Sequence, residues 1–97
     1  MFTSKQRAVL RSMAQTIEPI GQIGKGGITD TVKETFSNAL EARELIKITV
    51  LNNVEADINY LAQELADEIS AEVVCVIGHK IVLYRRSNKK GITHVKF

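Results

Sequence analysis

The sequence has no tryptophan, one cysteine and one proline. Cys75 cannot form an internal disulfide, and within "VVCVI" a free thiol behaves as a small hydrophobe, which suits a reducing, cytosolic setting. A lone proline excludes a proline-rich linker, and no repeat recurs at the period of a solenoid. No stretch approaches the roughly 18 apolar residues of a membrane span. The opening "MFTSKQRAVLRSMAQ" lacks the apolar core of a signal peptide. A soluble, intracellular chain without a membrane partner is expected. Its 97 residues fit one compact domain.

Acidic residues are missing from the end of the chain. The last nineteen residues carry Lys80, Arg85, Arg86, Lys89, Lys90 and Lys96 and no Asp or Glu. Between Asn53 and Glu72 the reverse holds: six acids and no Lys or Arg make that segment −6, so with a whole-chain charge of +2 the remainder is +8. A bipolar chain of this kind suits a polyanion, although ordinary solvated surface charge would give the same count.

Thr3 and Gln6 have the spacing of a capping box, and Val9, Leu10, Met13, Ala14 and Ile17 follow at helical spacing, which predicts a helix from about Ser4 to Gln15. "PIGQIG" reads as a short strand. Thr29 or Asp30 caps a second helix to about Arg43, with Val32, Phe36, Ala39 and Leu40 on one face. "ELIKITVL" alternates as a strand, Ile46, Ile48 and Val50 to one side and Leu45, Lys47, Thr49 and Leu51 to the other. Asn53 is the expected cap of a third helix carrying the acids. "EVVCVIG" and "IVLYRR" then form a hairpin about Gly78-His79-Lys80. The order α-β-α-β-α-β-β implies a two-layer α+β domain over a mixed sheet, with "RRSNKKG" opening a basic tail, residues 87 to 97, that is mobile when unliganded.

Glycine is concentrated at one point: four of the six lie between Gly21 and Gly27, ahead of the second helix. Such density belongs where a backbone turns with positive φ or meets a ligand closely. A helix start also favours an anion. The P-loop spacing is met at Gly21 and Gly26 but Gly27 and Ile28 follow instead of Lys and Ser or Thr; a dinucleotide fingerprint from Gly24 fails at Thr29. A small-molecule phosphate ligand is thereby disfavoured. What remains is the GxxG clamp of KH-type modules, Gly24, Lys25, Gly26 and Gly27, which grips an RNA backbone, or else a plain tight turn.

"GKGGITDTVKETFSNALEARELIKITV" and "VCVIGHKIVLYRRSNKK", with "SKQRAVLRSMA" before them, resemble the CRM-domain family (chloroplast RNA splicing and ribosome maturation), in particular its small, single-domain bacterial members. The likeness implies a KH-like four-stranded sheet of order 1-2-4-3, similar to the C-terminal domain of bacterial translation initiation factor three. It implies RNA binding, with ribosomal RNA of the large subunit precursor as partner during assembly. By position it carries the loop onto Gly24, Lys25, Gly26 and Gly27 and the basic first helix onto Lys5, Arg7 and Arg11, while "LYR" falls on Leu83, Tyr84 and Arg85. A histidine expected before "ELIK" is Arg43 here.

Other constellations are weaker. Glu64 and Glu68 read as a solvated helix face, since no His or nucleophile converges on them. Cys75 and His79 lack further ligands for zinc, and His94 sits in the tail. Tyr84 stacks on a base or packs in the core. Five aromatic residues are too few for a stacking platform, so recognition leans on backbone and shape. The expectation is therefore a monomeric, non-catalytic RNA-binding protein with no cofactor, metal or small-molecule substrate. Its contacts would be the Gly24 to Gly27 loop, Lys5, Arg7 and Arg11, and Arg85, Arg86, Lys89 and Lys90. The alternative is a protein–protein adaptor that engages a ribosomal protein or processing enzyme.

Overall fold

The computed structural model describes residues 2 to 97. Helix α1 spans Ser4–Ala14, and its capping box forms as the spacing predicts: Gln6 N–H donates to Thr3 Oγ1 at 3.1 Å and Thr3 N–H to Gln6 Oε1 at 3.0 Å. Strand β1, Gly21–Ile23, leads through the glycine loop to α2, Asp30–Arg43, which Thr29 caps through its hydroxyl. Strand β2, Leu45–Val50, follows directly.

Helix α3 is Ile58–Glu68 and starts later than expected. Asp57, not Asn53, is its cap, accepting from the N–H groups of Asn59 and Tyr60. Residues 51 to 56 form a connection that turns at Leu51, whose carbonyl accepts from Val54 N–H. Val54 still packs on the core from outside the helix. Strands β3, Glu72–Ile77, and β4, Lys80–Tyr84, close the chain's regular structure as a hairpin through Gly78, whose φ of +57° is the left-handed turn that glycine permits.

The sheet order is β1-β2-β4-β3, as the family likeness implies. β1 and β2 run parallel, and β4 lies antiparallel between β2 and β3. The long connection through α3 thus carries the chain past β2's neighbour instead of beside β2. α2 and α3 cover one face over Ile23, Phe36, Leu40, Ile46, Ile48, Leu65, Ile81 and Leu83. The other face holds a smaller cluster of Leu10, Ala14, Leu45, Val74, Val82 and Tyr84 beneath α1. The alternation of β2 serves both layers, since odd and even positions point to opposite faces. A bulge between Val73 and Cys75 places Val74 and Cys75 both on the α1 side.

Gly21 is more than the strand-end turn residue its place in the sequence suggests. A Cβ there would stand 2.9 Å from Phe36 Cε1, so the bare backbone of β1 is what lets the ring lie against the sheet. The tail also departs from expectation. Instead of hanging free, it folds back on Glu44, which is completely buried and adopts φ +65° just after α2. Its carboxylate accepts from Ser87 N–H and Val95 N–H, each at 2.7 Å, and pairs with His94 Nδ1 at 2.5 Å. Burial pushes this carboxyl's pKa up, but the three bonds together outweigh burial and leave it below the ordinary value. Phe97 completes an edge-to-face trio with Phe2 and Tyr84.

Candidate nucleic-acid interface

Gly24 to Gly27 form a turn closed by Gly27 N–H donating to Gly24 O at 2.9 Å. Lys25 and Gly26 are exposed at its tip. Within the turn only Gly27 has a positive φ, +68°; at Gly26 a Cβ would meet nothing nearer than Thr29 Cγ2 at 3.7 Å. The fold therefore requires glycine for conformation at one position, and at Gly26 it leaves open space for an approaching backbone. Beyond the turn, Asp30 stands in the first turn of α2, with its carboxylate 3.3 Å from Lys33 Nζ. The bond to Asp30 and the charge of Glu68 raise the Lys33 pKa.

The same end of the sheet carries the Gly78-His79 turn, whose His79 carbonyl accepts from Val50 N–H at 2.7 Å. α1 packs on the Leu45, Val82 and Tyr84 end of its face and leaves the opposite end open. There the cross-strand row is Gln22, Thr49, Lys80 and Ile77; the next row, Lys47, Val82 and Cys75, already runs under the edge of α1, where Val82 is fully buried. Gln22 is exposed, Lys47, Thr49 and Lys80 are half-buried, and Ile77 is 42% exposed. Arg11, Arg7 and Lys47 lie close enough to Cys75 to favour its thiolate, although burial dominates and pushes the thiol up. No acid occurs in either row, so the end of the sheet that carries the glycine turn also carries a basic stretch on its α1 side.

The expected site residues are distributed unevenly over this geometry. Lys5, Arg11, Lys25, Arg86, Lys89 and Lys90 are exposed. Arg7 is engaged inside the fold: its Nη1 donates to Val73 O at 2.6 Å and Val74 O at 2.7 Å, and its guanidinium lies 5.5 Å from the Phe2 ring centroid. Arg85 is engaged more fully, donating to Ile69 O at 2.7 Å, Ser37 O at 2.8 Å, Ser37 Oγ at 3.1 Å and Glu41 Oε1 at 3.3 Å. Its guanidinium ties α2 to the end of α3. Tyr84, 7% exposed within the aromatic trio, is a core ring. Arg86, Lys89 and Lys90 follow β4 and lie at the end of the sheet away from the glycine turn, about 20 Å off at the ~3.3 Å rise of a strand residue.

Lys47, Lys80 and Gln22 are the surface residues that motif reasoning passed over. Their signal was the alternation itself, because polar residues on the α1 side of β2 mark where that helix stops covering the sheet. Among the described residues no group of three His, Cys, Asp or Glu side chains is placed to hold a metal ion, and no helix is long and apolar enough to cross a membrane.

The family model for the CRS1 / YhbY (CRM) domain matches residues 2 to 85. The chain belongs to this family. It is similar to "Probable RNA-binding protein YqeI" of Bacillus subtilis, 46% identical over 89 residues, spanning 92% of this chain and 93% of that protein. To the Haemophilus influenzae protein named "RNA-binding protein" it is 32% identical over 91 residues, 94% of this chain and 92% of that one. Among solved structures, that of SAV1595 from Staphylococcus aureus, described as a candidate RNA-binding protein, superposes with a TM-score of 0.79 at 47% identity, covering 93% of this chain and 94% of the other. The matched CRM segment takes in the glycine turn and the basic sheet face, and it ends at Arg85, before the returning tail.

Proposed function

We propose that this CRM-domain chain is a non-catalytic RNA-binding protein of the cytoplasm. The carrying observation is the exposed Lys25-Gly26 tip at the same end of the sheet as Lys47 and Lys80, whose rows hold no acid, with Arg11 of α1 close to Cys75 in the second row. In this reading an RNA backbone meets the Gly24 to Gly27 turn and continues across the open face, with charge supplied by Lys5 and Arg11 at one side and by Arg86, Lys89 and Lys90 at the far end. Arg7 and Arg85 hold the scaffold. The acids of α3 sit on the opposite layer, where they repel RNA from the wrong side. The RNA-binding names of the relatives support the class of ligand. The likeness to small bacterial CRM proteins supports ribosomal RNA of the large subunit precursor as the RNA bound.

The test is the double variant Lys25→Glu with Gly26→Asp. Both positions are exposed, so the thermal melt should stay nearly unchanged while binding to large-subunit ribosomal RNA fragments is lost. Retained affinity would remove the turn from the site.

A second reading is a protein–protein adaptor, favoured by the exposed α3 face where Tyr60, 67% exposed, stands with Gln63, Glu64, Asp67 and Glu68 around a shallow 250 Å³ hollow. Gradient sedimentation with and without nuclease separates the two. An RNA binder leaves the heavy fractions when RNA is destroyed, whereas an adaptor stays with its protein partner.

A further inference from the structure

At the covered end of the α1 face lies a pocket of about 390 Å³, within the size range that takes small organic ligands. Met13, Ile17, Leu45 and Val95 give it apolar walls, and Glu18 and Arg43 stand at its rim. Both rim residues are exposed, and neither has a hydrogen-bond or ion-pair partner among the described residues. An apolar slot with one free carboxylate and one free guanidinium is matched to a flat, partly polar ring attached to an anion.

The pocket's position ties it to the interface. Leu45 in its wall, Lys47 and Thr49 are alternate residues of β2 and so share a face, and Gln22 pairs beside Thr49. This line runs from the end of the sheet that carries the glycine turn to the pocket. From Ile20 at the pocket to Gly24 is about 13 Å at the ~3.3 Å rise of a strand residue, which is about four stacked nucleotides at ~3.4 Å each. Sequence-specific recognition of unpaired RNA works by seating a splayed base and hydrogen-bonding its Watson–Crick edge.

We propose that this pocket seats one unstacked guanine of the bound RNA strand and that the Glu18 carboxylate reads it; the proposal rests on the RNA-binding reading above. Guanine alone among the four bases presents two adjacent N–H donors, N1–H and N2–H, on that edge, which the two oxygens of one carboxylate accept side by side. Adenine and cytosine set a ring-nitrogen acceptor beside their amino group, which repels a carboxylate, and uracil offers one N–H flanked by carbonyls. Arg43, planar and always charged, is placed to stack on the base or hold its phosphate. The face thus combines a sequence-blind backbone clamp at Gly24 to Gly27 with one base-reading position at Glu18.

The experiment is fluorescence anisotropy with labelled single-stranded RNA octamers, all-adenosine or with two central guanosines. The guanosine octamer should bind the intact chain about 10-fold more tightly, the order of one good bidentate base contact. In Glu18→Gln, at an exposed position, that ratio should fall to within about twofold while the all-adenosine octamer binds at least as well as before. In addition, guanosine 5′-monophosphate should shift the NMR signals of the Met13, Leu45 and Val95 methyls, and uridine 5′-monophosphate should not. Equal binding of the two octamers, or an unchanged ratio in Glu18→Gln, overturns the guanine pocket and leaves the RNA reading standing. Failure of both octamers to bind overturns both.

Discussion

The backbone N–H of Val95 donates to Glu44 Oε1 across 51 residues of sequence, at 2.7 Å. With Ser87 N–H on the other oxygen, this one carboxylate fastens both ends of the returning tail to the end of α2. Glu44→Gln puts an amide NH2 where an acceptor is needed, leaving a buried N–H unsatisfied at a cost of about 1–3 kcal/mol. Chemical denaturation should show that loss, and hydrogen exchange at the Val95 and Ser87 amides should quicken by more than the global change.

The same bonds set an acid limit. The Glu44 carboxyl is held below its ordinary value of 4.5, so its contribution is complete above that pH and is lost as the pH falls through the lower, folded value. Melts recorded from about pH 6 to about pH 3 should fall more steeply for the native chain than for Glu44→Gln. Parallel curves would remove Glu44 from the acid response.

Arg85 separates scaffold from ligand contact. Arg85→Ala should lower stability by about 2 kcal/mol, since hydrogen bonds to a charged group are worth about 1.5–3 kcal/mol, and RNA affinity measured well below the melt should hold. A large drop in affinity in a folded variant would return Arg85 to the interface.

Lys47 and Lys80 should behave in the opposite way. Lys47→Gln with Lys80→Gln should leave the melt within a few degrees and weaken RNA binding, with the slope of log K against log salt reduced by about 0.7 for each phosphate that the two lysines neutralise. An unchanged slope would confine the RNA to the turn and the tail.

Gly21→Ala tests the packing of the first strand. Its Cβ meets the Phe36 ring at 2.9 Å, and such overpacking costs about 1–3 kcal/mol. Gly26→Ala, with open space around it, should leave the melt almost unchanged. Comparing the two by thermal denaturation distinguishes a glycine kept for the core from one that the core does not need.

Local features were legible in the letters. The Thr3 and Gln6 box, the alternation of β2 and the β-branched hairpin each depend on neighbours a few residues apart, and the structure has them where spacing puts them. Asn53 misled because several residues before α3 are capable of capping, and only Asp57 lies where Asn59 and Tyr60 need an acceptor. The tail was illegible for a different reason. An acid just before a strand reads as solvated, and nothing within ten residues of Glu44 announces that Ser87, His94 and Val95 will surround it. The bonds of Arg7 and Arg85 were illegible for the same reason: as letters they are surface cations, and only the fold brings main-chain carbonyls to meet them. The basic sheet face needed topology, since Lys47 and Lys80 enter adjoining rows only when β4 inserts beside β2.

The grip of Arg7 on Val73 O and Val74 O bears on self-association. β3 is an outermost strand, and an uncovered outer strand is a template on which another chain can add its own. A guanidinium across two successive carbonyls at a bulge spoils that template, because an incoming strand would have to displace two charge-assisted bonds and straighten the kink. Arg7 thus makes the outer strand a poorer template for unwanted extension.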